Sequence, residues 1–250
     1  MYLVYLAAGL SSRFGGEPKL LQKIGKNKKS LIEISLEQAL VINFNKIIFI
    51  VSSKTHEVVK KHISKLNITI PVEFIIQTSN RAKPWGTGHA VSCLYPFVNE
   101  PFVLCNSDDL YGYNTFNILK DFEDTTDNIV IGYKLKNSLP DDNSYVNRGF
   151  INLYDGSITE KLNICRNYYN DNELDNIYVS MNLFILQPNI LKELFNQVED
   201  FINENHHNET LEALLPNFLK THKLNVIKSD DICIGITYKE DLKRYKSMIL

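Results

Sequence analysis

The run Lys46 to Ser52, KIIFIVS, constrains this chain more than any other feature. It is too short for a helix of ordinary length and is rich in β-branched residues. A near-continuous apolar run of that kind suits a strand covered on both faces. Such a strand needs helices above and below it, and neighbouring segments supply them. Leu3 to Leu6, Val72 to Gln77, Phe102 to Cys105 and Asn128 to Tyr133 read as further strands. Between them, Leu31 to Leu40, Thr55 to Leu66, Gly88 to Val98 and Thr115 to Glu123 carry helical patterns. Ser30-Leu31-Ile32-Glu33 has the form of a capping box. The alternation predicts right-handed crossovers and a Rossmann-like, doubly wound α/β fold with a mostly parallel mixed sheet.

The second half is less regular. Gly149 to Tyr154, Ser157 to Ile164 and Ile177 to Leu186 read as partly antiparallel strands. Helices are expected from Pro188 to Asn203, from Thr210 to Thr221 despite Pro216, and from Glu240 onward, with a strand at Leu224 to Lys228. Asn167 to Asn176 is expected to be a mobile loop. With 250 residues and no linker or repeat, the chain is expected to form one domain over 1–250. Residues to about 135 would be its nucleotide-binding half and those from about 136 its acceptor-binding half.

A formal net charge of −2 gives no reason to expect a nucleic-acid or membrane surface. A small anionic ligand would be held by local cations instead, and a homo-oligomer is left open. The four cysteines form no C-x-x-C pair, which suits free thiols in a reducing compartment. No apolar run approaches the roughly 20 residues that span a bilayer. Arg13 and Lys19 follow the first apolar patch rather than precede it, unlike a secretory signal. A cytoplasmic protein is the expectation.

Chemistry-bearing residues gather where such a sheet binds ligands, beyond the carboxyl ends of its strands. After the first strand come Ala7, Ala8, Gly9, Ser12, Arg13, Gly15, Gly16, Pro18 and Lys19. A small-residue loop offers backbone N–H groups to an anion, and its two cations neutralise the remaining charge. After the third strand, Gln77 precedes Lys83-Pro84-Trp85-Gly86-Thr87-Gly88-His89-Ala90. There, glycines at a helix entry would let backbone approach a flat ring, and Trp85 could stack on a base or merely pack. His89 reads as structural. After the fourth strand, Asn106-Ser107-Asp108-Asp109 offers adjacent carboxylates, suited to a metal or to capping a helix.

The first loop resembles the signature of the nucleotidylyltransferases, which read small-small-Gly, a variable residue, Ser or Thr, Arg, and later Pro-Lys. The resemblance runs along the whole chain and implies a fold like that of the nucleotidyltransferases and the related GT-A glycosyltransferases. It implies Arg13, Lys19 and Asp108 as catalytic residues and Mg²⁺ as cofactor, held by Asp108 with Asp109. Nucleotide contacts would come from Ala7, Ala8, Gly9, Ser12, Arg13, Lys19, Gln77, Trp85, Gly86 and Thr87. Acceptor contacts would come from Arg148, Glu160, Lys161 and Asn182. Two positions depart from the pattern. Asn182 stands where sugar-specific relatives carry glycine, and Gly235 where many carry a second metal aspartate, for which Asp230 or Asp231 is the nearby substitute. The implied activity is transfer of a nucleoside monophosphate from CTP or UTP to a small phosphorylated metabolite. The runs around Trp85 and Thr237 resemble a branch serving capsule or envelope precursors. A hexose 1-phosphate uridylyl- or thymidylyltransferase is the main alternative. A GT-A-type glycosyltransferase and a catalytically inactive nucleotide-binding module are the alternatives from other classes.

Overall fold

The computed structural model describes residues 1–9, 18–24, 28–81, 83–142 and 144–236. The chain opens with β1 (Tyr2–Ala7), the short strands β2 (Lys23–Ile24) and β3 (Lys29–Ser30), then α1 (Leu31–Ala39). β4 (Lys46–Ser52), α2 (His56–Ile63), β5 (Val72–Gln77), α3 (Thr87–Ser92) and β6 (Phe102–Asn106) follow in alternation. Next come β7 (Asp109–Leu110), α4 (Tyr113–Lys120), β8 (Ile129–Lys134), β9 (Val146–Ile151) and β10 (Ile158–Ile164). The remainder is α5 (Asp171–Asn176), β11 (Tyr178–Leu186), α6 (Leu191–Asn205), α7 (Leu215–Phe218), β12 (Asn225–Ser229) and β13 (Ile234–Gly235).

One nine-stranded mixed sheet organises these elements, with β5, β4, β1 and β6 side by side and all parallel. Alternation along these strands builds the two cores. Leu3, Tyr5, Phe49 and Val103 face one layer, packed against Ile32 and Leu36 of α1. Tyr2, Val4, Ile48, Ile50 and Leu104 face the other, packed against Val91 of α3 and Leu191, Leu194 and Val198 of α6. The N-terminus of α1 is closed by the expected box. The Ser30 backbone N–H donates to Glu33 Oε2 at 2.6 Å and Glu33 N–H donates to Ser30 Oγ at 3.4 Å.

β11 divides the sheet into two regimes. Its C-terminal part, Phe184 to Leu186, runs antiparallel to β6. Its N-terminal part, Val179 and Ser180, pairs instead with Phe150 and Gly149 of β9. β8 lies along the other side, and its register with β11 breaks between Ser180 and Phe184. Asn182 sits in that break with φ 59°, a left-handed conformation that asparagine tolerates better than most residues. The sheet therefore opens between the end of β6 and the middle of β9.

Two expectations are corrected, and a third is left untested. Asn167 to Asn176 contains a 3₁₀ turn, Arg166–Tyr168, and then α5, whose Asn170 and Glu173 form a second capping box. The helix expected over Thr210 to Thr221 is reduced to α7, with Pro216 in its first turn, because residues 211–214 run non-helically against the segment before α3. The helix expected from Glu240 lies outside the described residues.

Candidate active site

The corner where β1 and β6 end is tied together by backbone-like bonds. Ser107 donates to Leu6 O from its N–H at 3.2 Å and from Oγ at 2.8 Å. This sets the end of β1, leading into Ala7, Ala8 and Gly9, beside the end of β6, leading into Asp108 and Asp109. A methyl group added at Gly9 would meet no atom of the described residues within 4 Å. Packing among the described residues therefore does not demand the glycine. Ser12 and Arg13 lie outside the described residues.

Lys19 enters the same corner from a 3₁₀ turn, Lys19–Leu21, anchored by the buried Leu20. Its Nζ lies 3.4 Å from Asp108 Oδ2 and donates to Ile236 O at 3.2 Å. A cation and a carboxylate expected from distant motifs thus meet in one place. Asp109 is buried, and its Oδ2 accepts from Asn106 Nδ2 at 2.7 Å. Burial pushes its carboxyl above the ordinary range, and the charge of Asp108 adds to this; Asn106, Arg148 and Lys19 partly offset it.

Position 235 explains why a glycine fits there. β13 pairs antiparallel with β7, setting Gly235 opposite Asp109. A Cβ at Gly235 would sit 3.0 Å from Asp109 Oδ1, so the Asp109 carboxylate fills the room a larger residue would need. The proposed substitutes are otherwise engaged. Asp231 accepts from Thr115 N–H at 2.8 Å and from Asn114 at 3.0 Å, holding the start of α4. Asp230 pairs with Lys134 at 2.7 Å on the exposed surface. Among the described residues no group of three or more His, Cys, Asp or Glu gathers. The oxygen donors of Asp108 and Asp109 do fit a hard cation such as Mg²⁺, which takes one or two carboxylates and completes its shell with phosphate and water.

Beyond this corner lies a cavity of about 200 Å³. Asn106, Asp109 and Gly235 line its near side; Asn147, Arg148, Gly149 and Glu160 the far side; Ser180, Met181 and Asn182 the opened strand between them. Arg148 is held by Ser138 O at 3.1 and 2.5 Å and by Asn147 O at 2.8 Å. Glu160 has no hydrogen-bond or ion-pair partner among the described residues. Partial desolvation, then the nearby Glu212, raises the carboxyl of this solvent-accessible side chain above the usual range. Lys161 does not join it. The strand alternates, so the lysine points away and its Nζ lies 4.1 Å from the centre of the Phe150 ring. The expected Glu-Lys pair is thus split, with only Glu160 at the cavity.

The box around Trp85 needs a similar correction. Trp85 is 2% exposed, touches Phe201 edge-on and is covered by the Arg81 guanidinium at 3.6 Å. In this arrangement its ring packs and is not presented to a base. The room at the glycines is also taken. Methyl groups at Gly86 and Gly88 would lie 2.9 and 2.8 Å from Ala213 O. Gly88 N–H donates to that oxygen at 2.7 Å, and Ala213 N–H donates to Trp85 O at 2.5 Å. Thr87 lines the cavity, and its Oγ1 accepts from Leu215 N–H at 2.9 Å. Gln77, at the end of β5, donates from Nε2 to Gly86 O at 3.1 Å.

Several residues that build this site carry no motif. Tyr111, fully buried, accepts from Asn106 N–H and donates to Met181 O, both at 2.9 Å, joining β6 to β11. Its own N–H is held by Gln38 of α1. Arg81 donates to the carbonyls of Lys83, Pro84, Asn208 and Leu211, fastening the 208–216 segment to the box. A buried Tyr just after an acidic pair was the only hint of the first device, and nothing signalled the second.

This fold, with its cation–carboxylate corner beside a polar cavity, places the chain among the nucleotide-transferring α/β enzymes. The nucleotidyl transferase family model matches residues 10–232, and the chain belongs to that family. It is accordingly a nucleotidyltransferase. Among solved structures it is similar to the inositol-1-phosphate CTP transferase from T. maritima, at 17% identity and TM-score 0.67, covering 99% of this chain and 94% of that one. It is also similar to a UDP-glucose pyrophosphorylase complexed with UDP-glucose, at 15% identity and TM-score 0.68, covering 99% and 97%. At these identities the likeness shows a shared fold. A comparison with curated proteins finds no match.

Proposed function

We propose that this protein transfers a nucleoside monophosphate from CTP or UTP to the phosphate of a small phosphorylated metabolite. The approach of Lys19 to Asp108 at the rim of the cavity carries this reading. A triphosphate would lie along the first loop, with Ala7, Ala8, Gly9, Ser12 and Arg13 as its contacts. Gln77 and Thr87 would face the base, with Gly86 O holding the Gln77 carboxamide. Residues to about 135 thus serve the nucleotide and those from about 136 the acceptor.

In the reaction, an acceptor phosphate oxygen forms a bond to the α-phosphorus, the bond to the β-phosphate oxygen breaks, and pyrophosphate leaves with the electron pair. The attacking phosphate is already ionised at neutral pH, so positioning and charge stabilisation suffice without a strong base. Lys19 would neutralise charge developing on the α-phosphate oxygens, with Arg13. Asp108 and Asp109 would hold Mg²⁺, which when bound supplies charge neutralisation on the phosphates. Arg148, Glu160 and Asn182 would position the acceptor, and Lys161 would act only at the margin.

The amide-rich, acid-bearing cavity suits an acceptor with amino and amide groups, and phosphoglutamine with CTP is our candidate pair. A role in capsule or envelope precursor synthesis in the cytoplasm follows from that choice, and four free cysteines suit such a compartment. The test is pyrophosphate release from the four common triphosphates against phosphorylated amino acids and sugar 1-phosphates, with and without magnesium. We expect magnesium-dependent release with CTP or UTP and phosphoglutamine. Release only with a hexose 1-phosphate would move the acceptor, and none with any pair would overturn the reading.

A further inference from the structure

Gln77 has only 6% of its surface exposed, yet its side chain is more tightly specified than its strand-end position requires. One end of the carboxamide lies 3.1 Å from Gly86 O, an atom that can only accept. That end must therefore be the NH₂ group. The same nitrogen lies 3.2 Å from His89 Nδ1. An amide nitrogen only donates, so Nδ1 must accept, and His89 must be the neutral imidazole with its proton on Nε2. Both amide protons then point inward. Oε1 accepts from no described residue and is the one atom left for Gln77 to present.

We propose that His89 is a positioning residue that fixes the Gln77 carboxamide with its oxygen toward the nucleotide, so that the site reads a base edge carrying an N–H donor. A protonated His89 would offer a second donor to the Gln77 NH₂ group. The amide would then have to turn or break its bond to Gly86. The inference rests on Gln77 reading the base, as in the function proposed above.

The surroundings keep the ring neutral. Burial and then the Arg81 charge lower its proton affinity. On α3, Cys93 donates from Sγ to His89 O at 3.2 Å, and burial pushes that thiol up to about 11, so it carries no charge. From α6, Glu199 lines the groove that His89 borders and is the acid facing it.

The test is direct binding of CTP and of UTP, each with magnesium, to the wild type and to Gln77→Ala, His89→Ala and His89→Asn. Asparagine can place an oxygen where Nδ1 lies. His89→Ala is expected to weaken binding about fivefold to tenfold, the size of one hydrogen bond, with His89→Asn within about twofold of wild type. Between about pH 8 and about pH 5, wild-type binding should weaken more than that of His89→Asn, which cannot titrate there. If Gln77→Ala weakens binding but His89→Ala does not, the positioning role is wrong and the nucleotide reading stands. If His89→Asn is as weak as His89→Ala, the ring acts by packing alone and the proposal is overturned. If neither nucleotide binds the wild type, or Gln77→Ala binds like it, the reading beneath the proposal falls as well.

Discussion

Strand β6 delivers Asp108 and Asp109 just past its carboxyl end, whereas β11 delivers Asn182 from a break in its middle. On the first side, β5, β4, β1 and β6 are parallel, so their ends must converge on one edge. Any polar residue following such a strand lands near the others. On the second side, β9, β10 and β11 are antiparallel, and site residues project from strand faces. There a single register shift decides which side chains reach the cavity. One wall is placed by topology and the other by register, and substitutions should distinguish them.

The largest effect is expected where topology rules. Lys19→Ala and Asp108→Ala should each lower the rate of pyrophosphate release by about 10²- to 10³-fold with little change in thermal stability. Turnover at the wild-type rate in Asp108→Ala would break the comparison at its strongest point. Gly86→Ala comes next. It would force a side chain onto φ +105° and into Ala213 O, at a cost of about 2 kcal/mol or more in urea unfolding. An unchanged midpoint would mean that the 208–216 segment is held less firmly than its bonds suggest. For the wall set by register, Asn182→Ala should raise the acceptor KM about tenfold while nucleotide binding stays within about twofold. Equal loss of both would merge the two walls into one.

Glu160→Gln should give the smallest change. The folded-state carboxyl is raised, chiefly by partial desolvation and then by Glu212. A group raised on folding favours the fold fully below its unfolded value, about 4.3, and loses that contribution as pH rises through the folded value. Glutamine removes the loss. The variant should therefore melt slightly higher than wild type at neutral pH, by less than about 2 °C, with a smaller gap near pH 4. A gap that widens toward acid would reverse the sign.

How much was legible in the sequence follows the same division. KIIFIVS became β4 over the same residues, because a doubly buried strand leaves little choice of boundary. The meeting of Lys19 and Asp108 could be anticipated from strand order, since position along the chain fixes position in a parallel sheet. Glu160 and Lys161 were read as a pair because adjacency is what a sequence displays, yet a strand sends neighbours to opposite faces. For Trp85 the sequence leaves stacking and packing open, and it packs under Arg81, four residues earlier; its glycines, expected to approach a ring, receive Ala213 from elsewhere in the chain. Packing between segments more than a hundred residues apart leaves no periodic trace. The role of Asp109 beside Gly235 was hidden for the same reason.

The pairing of β13 with β7, and the bond from Lys19 to Ile236 O, set an order for assembly. During synthesis the polypeptide through Leu110 leaves the ribosome with its acidic corner still open on one side. That corner gains the wall made by β13 and Ile236 only when those residues arrive. A nascent chain can thus own every reactive group of the nucleotide half and still lack the enclosure in which they work.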